Sequence, residues 1–226
     1  MKKLILICLF LVPGLLFSQF GDRELYGYTR VGISFGMRDF MYTSNIEGLS
    51  MDYPVSIPLK LGSGITPEVG IGLMIVKHFF IEANVGITVV NKNGYQPENT
   101  EFYIESYRFN RTNIGFNGIY LIDVEDNFNI ELNVGLSAVL PEDLTVITSR
   151  NIETVRYSTT IGLQTGFALN YLIKDFSFGG GLNYRVENFK TKYGQKYPSE
   201  FYHLNPNMYT IKVSSFIITL SAKYLF

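Results

Sequence analysis

The sequence predicts an all-β chain, an eight-stranded antiparallel up-and-down transmembrane β-barrel. Three observations point there. Hydrophobicity alternates with a period of two along eight segments. The connections between those segments are alternately short and long. Beyond the N-terminal region, no apolar run reaches the ~20 residues that a helical span needs.

The final segment alternates most regularly. Phe216, Ile218, Leu220, Ala222, Tyr224 and Phe226 share one face, and Ser215, Thr219, Ser221 and Lys223 lie on the other. Around 79–90, Phe79, Ile81, Ala83, Val85 and Ile87 oppose Glu82, Asn84, Gly86 and Thr88. Around 127–138, Phe128, Ile130, Leu132, Val134 and Leu136 oppose Asn129, Glu131, Asn133, Gly135 and Ser137. The segments 154–172 and 175–188 follow the same rule. Those near 25–38, 65–76 and 104–122 follow it more weakly.

Short connections fall at Lys77–His78, Val124–Asp126 and Lys174–Asp175. Long ones fall at 39–64, 91–103, 139–153 and 189–208. An even strand count returns the chain to its starting side, so both termini are expected on the short-turn side.

Residues 1–18 read as a secretory signal peptide: Lys2 and Lys3, then an apolar run from Leu4 to Phe17, then Ser18 at the cleavage position. Residues 19–226 form the expected barrel domain. The single cysteine, Cys8, lies inside the signal. Disulfides, thiol catalysis and cysteine-bound metals are therefore excluded from the mature chain. The net charge of −1 becomes more negative without Lys2 and Lys3, and gives no basis for nucleic-acid binding.

The main rival is a soluble barrel that turns its apolar face inward. Its outer face would be rich in Lys and Glu. Here the polar face is mostly Gly, Ser, Thr and Asn, which suits a crowded narrow interior. Phe79, Phe128, Tyr171, Phe176, Tyr224 and Phe226 lie near segment ends, where interfacial aromatic girdles sit.

Parity places seven charges in the lumen. Arg30, Glu82, Glu131 and Lys223 fall in the half nearest the short turns, and Glu68, Arg111 and Arg185 in the other. Mixed signs at similar height favour pairing, because a lone buried charge is costly. The expectation is a plugged interior. The alternative is a narrow, porin-like transport channel along those charges. A one-residue register slip would reverse a face.

The closing run Ser221-Ala222-Lys223-Tyr224-Leu225-Phe226 resembles the C-terminal strand signal of bacterial outer-membrane proteins. The whole mature pattern resembles the small OmpA/OmpX-type barrels. With Ser18-Gln19 at the cleavage point, its flavour is that of the Bacteroidetes outer-membrane β-barrel family. The resemblance implies a Gram-negative outer-membrane location with periplasmic termini. It implies contact with outer-membrane lipids and lipopolysaccharide, and insertion by the barrel-assembly machinery through Tyr224 and Phe226. Other outer-membrane proteins are further expected partners. Outer-membrane protein A continues into a peptidoglycan-binding domain, whereas this sequence ends at Phe226, so that role is not expected.

No cofactor, metal or catalytic site is expected. Outer-membrane enzymes that process lipid need a nucleophile and base near the outer rim. The two histidines are His78, in a short turn, and His203, in the last long connection. The outer-membrane deacylases carry a Ser two residues after their His, and that position is Asn205 here. A Ser199–His203 pair is the remaining, less favoured enzymatic reading. Aromatics in or beside the long connections (Tyr42, Tyr53, Tyr95, Tyr103, Tyr197 and Tyr202 among them) make good contact surface and point to partner or ligand binding.

Overall fold

The computed structural model describes residues 25–44, 55–93, 103–149, 152–192 and 210–226. The signal region, His203, Ser199 and most of the loop aromatics lie outside them. The described strands are β1 (Leu25–Gly36), β2 (Phe40–Ser44), β3 (Val55–Leu59), β4 (Gly64–Val76), β5 (Phe79–Thr88), β6 (Asn91–Asn93) and β7 (Ile104–Arg108). They continue with β8 (Arg111–Glu125), β9 (Phe128–Pro141), β10 (Leu144–Thr148), β11 (Ile152–Val155), β12 (Thr160–Ile173), β13 (Phe176–Lys190) and β14 (Thr210–Leu225).

Eight of these close into an antiparallel barrel in the order β1-β14-β13-β12-β9-β8-β5-β4. Closure is made by β1 and β14, paired from Tyr26–Leu225 to Gly36–Ser215. The alternating pattern dictates which way each strand faces. Leu220 and Ile161 are 71% and 72% exposed on the outside, while Glu82 and Glu131 are 0% and 1% exposed within. Apolar side chains thus cover the outer wall and polar ones fill the inside. This is the reverse of a water-soluble barrel, and only a hydrocarbon surround makes it stable.

Two-residue turns join β4 to β5, β8 to β9 and β12 to β13. His78 and Lys174 take positive φ there, at 67° and 54°. Carbonyls in or beside each turn accept from the next hairpin: Leu121 N–H donates to His78, Leu172 to Asn127 and Leu225 to Asp175. These bonds join neighbouring hairpins around the rim of that end. Phe79, Tyr120, Tyr171, Phe176, Tyr224 and Phe226 ring it outside, with Phe176–Tyr224 centroids 5.1 Å apart. At the other end the outer aromatics gather on three strands, in Phe35, Phe216 and Tyr184. The β4–β5 ladder is interrupted at Pro67, which has no N–H to give, and resumes at the Ile65–Val89 bridge.

The long connections carry more order than the sequence predicts. The segment expected as one strand over 104–122 divides at Phe109–Asn110 into β7 and β8. The segment expected over 154–172 divides into β11 and β12. In both cases the chain leaves the barrel wall for a second sheet of four strands, ordered β11-β10-β7-β6. Hairpins from two different connections are joined in it by the β7–β10 pairing. Strands β2 and β3 form a separate hairpin.

Ile218 lies on the outer face in the middle of β14, opposite Ile33 and Leu182. Ile218→Arg is expected to destabilise the folded barrel by about 2–4 kcal/mol in lipid. Urea titration in vesicles measures it, and an unchanged midpoint would mean that the face is wrongly assigned.

Candidate functional site

The lumen is stratified. At the turn end Tyr26, Tyr28, Phe80 and Ile119 form an apolar floor, with Met74, Leu121 and Leu225 packed on it. The tyrosines fit because their cross-strand neighbours on β4 are Gly72 and Gly70. A Cβ at either glycine would overlap a tyrosine ring. Each phenol then points upward to donate to a carboxylate: Tyr26 to Glu82 at 2.8 Å and Tyr28 to Glu68 at 3.0 Å.

Above the floor lie the charges. All seven residues singled out by parity are buried inside the barrel. Arg30 is the hub, 2.9 Å from Glu68, 3.6 Å from Glu82 and 3.7 Å from Glu131. Lys223 bonds Glu131 directly and lies 3.7 Å from Glu82. Arg185 stands 4.0 Å from the second oxygen of Glu68 and donates to Gln164 through Nε at 3.1 Å and Nη2 at 2.6 Å. Asn117 and Asn170 donate to Glu82 and Glu131. Three carboxylates thus face three cations. The two expected layers are one connected network, because Arg30 reaches across to Glu68.

Arg111 stands apart from that network. It pairs at 3.2 Å with Glu187, a residue of the inward face that the sequence reading left out of the charge set. Inward parity together with a mixed-sign partner at the long-loop end was the available signal. Phe109 stacks against the Arg111 guanidinium at 5.5 Å.

Over this pair sits an apolar roof. Val139, Phe189, Ile211 and Val213 project from the inner wall, and Val90 and Phe109 come from the chain just beyond β5 and just before β8. Leu59 and Leu61 enter from the segment before β4, and Ile104, Tyr107, Leu144, Val146 and Val155 descend from the second sheet. Phe109 packs edge-on against Phe189 and Tyr157 at 5.3 and 5.7 Å. Gly62 lets the entering segment cross the wall. A Cβ there would lie 2.9 Å from both Gly36 Cα and the Ser214 carbonyl oxygen. The backbone N–H of Lys60 donates to the Tyr107 hydroxyl at 3.1 Å. Burial raises the Tyr107 phenol above its ordinary pKa, and the Lys60 bond partly offsets the rise.

Among the described residues no group of three His, Asp, Glu or Cys side chains is placed to hold a metal. His78 faces Asp123 at 3.4 Å across the rim of the turn end, far from the roof. Tyr103 is half-buried beside the second sheet, and its N–H reaches Ser149 Oγ at 3.5 Å.

Glu131→Ala is expected to destabilise the barrel by about 3–5 kcal/mol, since it leaves Lys223 buried without its nearest carboxylate. The double change Glu131→Ala with Lys223→Met should cost clearly less. Denaturant unfolding in lipid reads both, and equal losses would show that an unpaired Lys223 costs nothing.

No family model matches the chain, and no curated protein matches its sequence. Solved structures do match. Neisserial surface protein A is similar over 89% of this chain and 97% of its own, with 16% identity and a TM-score of 0.53. Ail of Yersinia pestis covers 90% and 98%, at 11% identity and a TM-score of 0.46. The outer-membrane protease OmpT of Escherichia coli covers 92% and 98%, at 13% identity and a TM-score of 0.44. The likeness to the Neisserial protein is one of fold. Together with the apolar outer wall, it makes this chain a small membrane-spanning β-barrel.

Proposed function

We propose that this chain is a non-catalytic outer-membrane barrel with a sealed lumen, acting through the cap built by its long connections. The observation that carries the reading is the order of layers inside: an apolar floor, a neutralised charge network and an apolar roof. A conducting pore needs a continuous wet path. Both ends of this lumen are instead packed with rings and aliphatic side chains that leave ions nothing to bind.

In this reading the long-loop end faces outward and both termini are periplasmic. The rim charges support that direction. Lys212 and Lys190 lie exposed on adjacent strands above the Tyr184–Phe216 pair, where they would meet lipopolysaccharide phosphates. Barrel-assembly machinery would read Tyr224 and Phe226, whose side chains project from the outer wall at the turn end. Contact with another outer-membrane protein would fall on the second sheet of the cap.

In planar bilayers the folded chain is expected to show no large, steady single-channel conductance. Sustained openings would overturn the sealed lumen and favour the porin-like alternative. Orientation is tested separately, because the mature chain carries no cysteine of its own. Thr154→Cys, in the cap, should react with an impermeant maleimide on intact cells, and Asp126→Cys, in a short turn, should react only after lysis. The opposite pattern would invert the barrel.

A further inference from the structure

The charged network contains a gap that its own side chains do not fill. A cavity of about 10 Å³ lies between Arg30, Thr66, Glu68, Gln164, Asn183 and Arg185. That is close to the ~10–15 Å³ needed to admit one water. Three features define what it can hold.

Glu68 uses its oxygens unequally. Oε1 accepts from Tyr28 at 3.0 Å and from Arg30 at 2.9 Å. Oε2 faces only Arg185 Nη2, at 4.0 Å, which is beyond hydrogen-bond reach. Arg185 is not free to close that distance. Gln164 holds its guanidinium through both Nε and Nη2. On the same wall, Asn183 turns its Nδ2 toward Thr219 Oγ1 at 3.5 Å, and its Oδ1 is left buried without a partner. Asn183 is itself 4% exposed.

The occupant must therefore donate to one or two acceptors and accept from a cation within the same small volume. A halide offers no proton to Glu68 or Asn183. A metal cation would lie against two guanidinium groups. A polar contact longer than 3.5 Å with space between its partners is the usual place for a bridging water.

We propose that the lumen holds one fixed internal water at this position. It donates to Glu68 Oε2 and to Asn183, and accepts from Arg185. It ties Arg185 to Glu68, whose other oxygen Arg30 and Tyr28 already hold. This site is independent of whether the barrel conducts.

A crystal structure of the folded chain, at a resolution that shows ordered solvent, tests it directly. The expected result is a single peak about 2.7–3.2 Å from Glu68 Oε2 and from an Arg185 nitrogen. A bromide soak should leave that peak without anomalous signal. Asn183→Leu, which lines the wall with methyls, should expel it. Should that variant fail to fold, water-to-protein NOEs at the Asn183 side-chain amide of the wild-type chain in nanodiscs give the same reading. An empty cavity with Arg185 closed directly onto Glu68, an anomalous bromide peak, or absent NOEs would overturn the proposal. A conducting barrel with the peak in place leaves the water standing and removes the sealed lumen. A silent barrel without the peak does the reverse.

Discussion

Closure of the strand ladder between β1 and β14 is the constraint from which the rest of the structure follows. The two strands pair over their shared length, and Phe226 N–H completes the seam on the Leu25 carbonyl at 2.8 Å. In hydrocarbon no water can satisfy a sheet edge, and each unpaired backbone group there costs several kcal/mol. A ring of eight strands removes the edge. It also encloses a lumen just wide enough for side chains to fill. Every inward residue then has to find its partners inside that narrow space.

The charges meet that demand by mutual compensation. Glu68, Glu82 and Glu131 stand against Arg30, Arg185 and Lys223, and Arg111 stands against Glu187. Tyrosine hydroxyls and asparagine amides supply further hydrogen bonds to the carboxylates. Such a network gains little over an apolar core of equal volume, but losing one member strands another. Glycines of the inner face make the packing possible. Gly70 and Gly72 seat the tyrosine rings of the floor, which in turn aim their hydroxyls at the carboxylates.

The roof has a different origin. Its apolar residues come from the last inward positions of the barrel strands and from the inner face of a sheet made by two separate connections. It resembles the core of a small soluble domain set on the mouth of the barrel. The Neisserial protein shares the fold at 16% identity.

The strand-by-strand alternation, the count of eight and the inward parity of Arg30, Glu68, Glu82, Arg111, Glu131, Arg185 and Lys223 are legible in the amino-acid pattern alone. A period of two is a local property, and short turns keep the register from one strand to the next. Pairing depends instead on the stagger of strands far apart in the chain. That Arg30 reaches Glu68, that Arg111 pairs with Glu187 and that Arg185 stands 4.0 Å from its carboxylate follow from the folded stagger. The cap was likewise invisible beforehand. Its strands are short, their partners come from another connection, and Tyr157 shares the parity of the outer wall yet turns inward once the chain leaves the barrel. Alternation says which side a residue faces, and closure decides what it meets there.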